Sequence, residues 1–309
     1  MILTLTINPA IDRSILVDRL VFEDRAYILS QDYGGGGRGI IASRVLQSFG
    51  VTTKAVTTSG GKNGQLFEKL LGKAGFPFEV VRIANEIRTN LTITDKQGLT
   101  AKLNEVGPEL TGQEAAAVME AVVRQLPDAE WLMLCGSLPP GVPKHFYNEL
   151  IQAARKHKVQ TLLDADGEDL RHGVEAKPTV VSPNQQEAER LLNRALITRA
   201  HFREAVTRIR ELGAESVLLS LGSRGVVAVN ENQMVEAVPP RIDVLSPIGA
   251  GDTLAAAFLW AFSRKKDFPD AVRWGVAAGT ASAALPGMEF ATLEQTKEMY
   301  RQVELRLIR

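Results

Sequence analysis

The chain has 309 residues, enough for one large α/β domain or for a core with a small accessory domain. Lys plus Arg and Asp plus Glu both number 36, so the formal net charge is zero, which excludes a broad nucleic-acid footprint and leaves room for local basic pockets only. A single cysteine, Cys135, excludes an intrachain disulfide and fits a cytoplasmic setting, and no apolar run is long enough to cross a bilayer as a helix.

Residues 2–7 alternate Thr with aliphatic side chains and predict a strand that ends at the turn Asn8-Pro9, with no secretory leader pattern before it. Residues 14–33 mix short aliphatic runs with charges and predict exposed strands outside the main core. The glycine cluster Gly34-Gly-Gly-Gly-Arg-Gly39 then opens a helix over 40–49. A strand follows at 51–57, a glycine loop through Gly64, and a helix at 66–74. Strands are predicted at 78–83, 89–95 and 99–103, the last two joined around Lys96-Gln-Gly98. From residue 112 helices alternate with strands: helix 113–125, strand 131–135, helix 144–156, strand 160–164 ending in acids, and strand 179–182. Helices 185–192 and 201–212 lead to a buried strand at 216–221 and a hairpin of 226–230 with 234–238. Helices at 269–285 and 293–307 close the chain. This alternation predicts a mostly parallel sheet covered on both faces, with ligands beyond the carboxyl ends of its strands. The four histidines fall on polar segments and read as solvated, and no His/Cys cluster with metal-ligand spacing is visible.

The most informative stretch is Ser246-Pro-Ile-Gly-Ala-Gly-Asp252-Thr253, followed by the apolar helix-forming run 254–262. A small-residue turn at a helix start leaves unpaired N–H groups aimed at one spot, and the helix dipole adds positive potential there. Such a place favours an anion, typically a phosphate. Asp252 reads either as a helix cap or as a catalytic base beside an anion nest formed by Gly249, Ala250 and Gly251. Asn184 and Glu187, three residues apart, read either as a capping box or as oxygen donors for magnesium and its waters, and the two uses are compatible.

In order, the glycine-rich helix start, Asn184-Gln-Gln-Glu187, Ser220-Leu-Gly-Ser-Arg-Gly225 and Gly249-Ala-Gly-Asp252 resemble the PfkB (ribokinase-like) carbohydrate kinases over about residues 1–290. Thr6-Ile-Asn-Pro-Ala-Ile-Asp12 and Gly136-Ser-Leu-Pro-Pro-Gly141 resemble the sugar-phosphate branch, which holds 1-phosphofructokinase, tagatose-6-phosphate kinase and the minor 6-phosphofructokinase. The resemblance implies a single kinase domain over 1–309, an α/β/α three-layer sandwich with a β-sheet lid drawn from about 10–35 and 87–104. It implies ATP and Mg2+, with K+ as a further candidate, and a homodimer formed through the lids. Asp252 would be the base, with Gly249, Ala250 and Gly251 as the anion hole. The sugar phosphate would meet Asp12, Gly37, Arg38, Gly39, Arg88, Lys102 and Ser137, with Arg25 as another candidate cation. ATP would meet Asn184, Ser220, Gly222, Ser223, Gly225 and Gly279, and the metal Asn184 and Glu187.

The chain departs from that pattern at three places. Ile41 stands where the family carries a sugar-contacting Asn, Ser182 where it carries a lysine before Pro-Asn, and Tyr27 where some members carry a lid arginine. The expected function is ATP-dependent phosphorylation of a sugar phosphate. A kinase for an unphosphorylated sugar or nucleoside is the alternative that Ile41 favours and Arg88 and Lys102 oppose. A catalytically silent sugar-phosphate-binding protein is the other, opposed by Asp252, and the glycine cluster lacks the spacing of a nicotinamide-binding turn.

Overall fold

A computed structural model describes residues 1–308. The first half of the chain forms β1 (Ile2–Thr6), β2 (Ala10–Val17), β3 (Ile28–Gly36), α1 (Arg38–Ser48), β4 (Thr53–Ser59), α2 (Gly61–Gly72), β5 (Phe78–Arg82), β6 (Arg88–Asp95), β7 (Thr100–Asn104) and α3 (Gly112–Gln125). Then come β8 (Trp131–Cys135), α4 (Phe146–Lys156), β9 (Gln160–Asp164), α5 (Gly167–Glu175), β10 (Val180–Val181), α6 (Gln185–Leu192), α7 (Arg199–Glu211) and β11 (Ser216–Ser220). The chain finishes with β12 (Val226–Val229), β13 (Met234–Val238), α8 (Ala250–Ser263), α9 (Phe268–Ala283), α10 (Leu293–Tyr300) and β14 (Glu304–Ile308).

Ten strands form the main sheet in the order β14-β13-β12-β11-β10-β9-β8-β1-β4-β5. From β11 to β5 every neighbouring pair is parallel, and β12 to β14 add an antiparallel edge. Side chains alternate between the two faces, as strand geometry requires. Leu3, Leu5, Leu132 and Leu134 join the core beneath α2 to α7, while Ile2, Trp131 and Met133 join the core beneath α1, α8 and α9. The three-layer sandwich is as expected. No helix among the described residues is long and apolar enough to cross a membrane.

The second sheet has the order β3-β2-β6-β7, with β2 and β6 parallel and the outer pairs antiparallel. Its strands are mostly half-buried or exposed, matching the expectation of strands outside the core.

Helix α8 fixes the site. Its residues from Thr253 to Ala261 are all buried, so it is wrapped on every side, as an all-apolar helix must be. Phe258 is fully buried, and Trp260 Nε1 donates to Phe49 O at 3.2 Å. Burying one such large side chain contributes roughly 1.5–3 kcal/mol, so the N-terminus of α8 is held on a rigid base.

Two predicted elements are corrected and one helix is added. The stretch 293–307 is not one helix: α10 ends at Tyr300 and β14 pairs antiparallel with β13. Residues 61–64 belong to α2, because Gly61 enters the helix at φ +68 and a Cβ there would strike Glu86. Helix α5, capped by Asp166, occupies a segment with no predicted element.

Candidate active site

The parallel strands β1, β8, β9, β10 and β11 all end on one side of the sheet. Thr6 ends β1 and Asn8 follows it, Ser137 follows β8, Asp164 ends β9, Ser182 follows β10 and Ser220 ends β11. All of them line a cleft of about 500 Å3 whose opposite wall is the second sheet, through Asp12, Arg88, Asn90 and Lys102. A second cavity of about 450 Å3 lies between the turn 222–225, the segment 239–247 and α9, with an apolar lining that includes Val226, Ile242, Val244 and Val276. The two share Ser220, Pro247, Gly251 and Leu254, so they meet at the N-terminus of α8.

At that junction Gly249 is the N-cap residue, in the left-handed region at φ +70. A Cβ there would come within 2.4 Å of the Phe290 ring, so glycine is required twice over. The first intrahelical donor is Thr253 N, at 2.8 Å from Gly249 O, which leaves the amides of Ala250, Gly251 and Asp252 without helical partners. No side chain caps this helix, so the capping alternative for Asp252 does not hold. Burial pushes the Asp252 carboxyl up to about 7, with the Asp164 carboxylate adding to the shift and the Arg38 guanidinium opposing it.

On the second sheet, Asn90 Nδ2 donates to Asp12 Oδ1 at 2.9 Å. Burial raises the Asp12 carboxyl, while Asn90, Arg88 and Lys102 pull it back. Arg88 donates from Nη1 to Glu105 O at 2.9 Å and from Nη2 to Asn8 O at 3.0 Å. Both acceptors are neutral carbonyls, so these contacts position the guanidinium and leave its charge uncompensated by them. Asn8 Nδ2 in turn donates to Ser137 Oγ at 3.2 Å.

The glycine cluster serves close approach. A Cβ on Gly36 would sit 2.2 Å from Asp12 Oδ2, and one on Gly39 would sit 2.6 Å from Thr6 Oγ1. Gly37, at φ +127, makes the turn from β3 into α1.

The sequence profile described as pfkB family carbohydrate kinase matches residues 5–295. The chain belongs to this family. Among curated relatives, the kinase is 28% identical to the 1-phosphofructokinase of Borreliella burgdorferi over 99% of this chain and 98% of that one. It is 26% identical to the 1-phosphofructokinase of Vibrio cholerae over 98% and 96%. Among solved structures, Escherichia coli phosphofructokinase-2 in complex with fructose-6-phosphate superposes with a TM-score of 0.88 at 28% identity, covering 97% of this chain and 98% of that one.

In this kinase Asp252, Gly249 and Gly251 reach the first cleft together with Asp12, Gly37, Arg88, Lys102, Ser137, Asn184 and Glu187. Ala250, Gly222, Ser223, Gly225 and Gly279 line the second cavity, and Ser220 lines both. Gly279 also lets α9 approach α8, since a Cβ would meet Ala250 O at 2.8 Å. Three expected contacts stand differently in the structure. Gly39 is buried against Thr6 and Leu5 and does not line the cleft. Arg38 lines it, but both terminal nitrogens are engaged by Asp164 and Glu187. Arg25 is exposed and lies outside the lining. Asn184 and Glu187 form the full capping box, with Glu187 N to Asn184 Oδ1 at 2.9 Å and Asn184 N to Glu187 Oε2 at 2.8 Å. Sequence reasoning missed Asp164 and Asn90; the only signal for Asp164 was an apolar strand that ends in a carboxylate.

Proposed function

We propose that this kinase transfers the terminal phosphoryl group of ATP to a hydroxyl of a phosphorylated ketohexose, of the kind represented by fructose 1-phosphate, fructose 6-phosphate and tagatose 6-phosphate. One observation carries the reading: the Asp252 carboxyl stands beside unbonded helix-start amides where two cavities meet. Asp252 takes the proton from the acceptor hydroxyl, and the amides of Ala250 and Gly251 stabilise charge on the phosphoryl group in flight. ATP occupies the apolar cavity near the turn 222–225, and the sugar lies against Asp12. Arg88 and Lys102 face the sugar's own phosphate, and the 1-phosphofructokinase relatives support a phosphorylated acceptor. An ATP-consumption screen over the three sugar phosphates and their unphosphorylated parents tests the reading; turnover confined to the parents would overturn it.

Magnesium, when bound, neutralises charge on the ATP phosphates. Carboxylate and amide oxygens of Glu187, Asn184 and Asp164 line the same cleft, a hard-donor set that suits it. Glu187 already accepts from Asn184 N at Oε2 and from Arg38 Nη2 at Oε1, so we assign it to the waters of the ion.

We read the second sheet, from about 10–35 and 87–104, as a lid over the acceptor. Tyr27, Ile28, Leu99 and Leu103 on it are each more than half exposed. Such a strand face needs a partner, and we assign a second copy of the chain. Light scattering at micromolar concentration is expected to give a dimer, and a monomer would remove this assignment. A cytoplasmic setting, argued from the lone cysteine, belongs to the same proposal.

Ile41 lines the acceptor cleft and is only 4% exposed. A sugar hydroxyl facing it loses a hydrogen bond, so the native acceptor lacks a hydroxyl at that spot or turns it away. Ile41→Asn is expected to raise kcat/KM for fructose 6-phosphate by about tenfold, equivalent to about 1.4 kcal/mol. Steady-state kinetics of both proteins on one sugar panel decide this, and no gain would show that position 41 does not set the acceptor.

A further inference from the structure

Arg38 begins α1, and its side chain reaches across the cleft floor. Nη1 donates to Asp164 Oδ1 at 2.5 Å and Nη2 to Glu187 Oε1 at 2.8 Å. Those carboxylates are 7% and 2% exposed, so water does little to screen them. With Asp12, Asp166 and Asp252, five carboxylates line a cavity that must admit polyphosphate. Without a resident cation they would repel it.

Ser182 lies in the same wall. Val181 is paired with Leu163, which places Ser182 and Asp164 side by side at adjoining strand ends. Ser182 N also donates to Leu163 O at 3.0 Å. A lysine at 182 would start its reach beside Asp164, but this chain has serine there. The guanidinium of Arg38 reaches that carboxylate from the start of α1.

We infer that Arg38 is a positioning residue which holds Asp164 and Glu187 in place and, from α1, offsets their negative charge beside the nucleotide phosphates, an offset that the serine at 182 cannot give. Arg suits the task because its planar fork can bridge two carboxylates and keeps its charge when desolvated. This rests on the kinase reading above. The test is therefore read from ATP affinity by equilibrium titration, which does not depend on finding the acceptor. Failure of the wild type to consume ATP across the sugar panel would fail the kinase reading instead.

Arg38→Met is expected to weaken ATP binding by about tenfold or more and to lower kcat, with KM for the sugar changing less. Arg38→Lys keeps the charge and is expected to hold ATP affinity within about fivefold. The double variant Arg38→Met with Ser182→Lys moves the cation to the neighbouring strand end and is expected to bind ATP about threefold or more tighter than Arg38→Met. A purely structural arginine would lower the melting temperature without moving ATP affinity, and the lysine at 182 would restore nothing. The inference is overturned if folded Arg38→Met binds ATP as the wild type does, or if the folded double variant is no better than Arg38→Met. Should Arg38→Met not fold, Arg38→Lys decides: a folded protein with ATP affinity down by more than about fivefold overturns the charge role.

Discussion

Asp252→Asn is expected to bind ATP and sugar phosphate nearly as the wild type does and to lose most of its turnover. The amide has the carboxylate's shape but cannot accept the proton, and a positioned base contributes about a hundredfold to ten-thousandfold. A variant retaining more than about a tenth of the wild-type kcat would remove the assignment. The raised pKa adds a second signature. The base works only when ionised, so below about 7 its proton disables it. Wild-type kcat/KM, which reports the free enzyme, should therefore rise with pH through about 7 and level off above it. That limb should be missing from the small residual activity of Asp252→Asn. A wild-type profile already flat through this region would mean that Asp252 is ionised at lower pH than its burial predicts.

The second large effect is expected from Arg88→Ala. Its guanidinium is fixed by the carbonyls of Asn8 and Glu105 and faces the acceptor cleft. Losing a charge-assisted phosphate contact costs about 1.5–3 kcal/mol, which corresponds to a rise in KM for a phosphorylated sugar of roughly ten- to a hundredfold. ATP affinity should hardly change, because Arg88 sits on the second sheet, across the cleft from the strand ends and from the turn 222–225. The control is an unphosphorylated sugar. An equal loss on both acceptors would mean that Arg88 matters only through the two carbonyls it ties together.

Much of this architecture is legible in the sequence, for local reasons. Residues 131–135 are an unbroken apolar run, and β8 lies at those positions. Asn184 and Glu187 have capping-box spacing, and α6 starts between them. The hairpin of β12 and β13 follows from two valine-rich runs about the polar turn 230–233. What fails to show depends on distant partners. Residues 304–308 alternate as a strand does, but Leu, Arg and Glu are also good helix formers, and pairing with β13 decides between the two states. At the site, Asp252 and its glycines announce themselves because helix, turn and anion nest are contiguous. The engagement of Arg38 does not, since its partners lie 126 and 149 residues away in sequence. The reading of Arg38 as a phosphate ligand came from a motif, and only the folded cleft reveals which carboxylates it meets first.

The tethering of the second sheet has a mechanical consequence. Between β1 and β2 lie only residues 7–9, and between β3 and α1 only Gly37. Ala10 and Gly36, the first and last residues of those strands, are paired with each other, and Ala10 is also paired with Arg88. Connections this short permit pivoting but little sliding, so any rotation of the small sheet against the core turns about a line through Ala10 and Gly36. Displacement then grows with distance from that axle. Asp12 is two residues out, about 7 Å at the rise of an extended strand, whereas Val17 is about 23 Å out. The sugar-facing residues Asp12 and Arg88 therefore sit close to these tethers, where any rotation of the small sheet would displace them least.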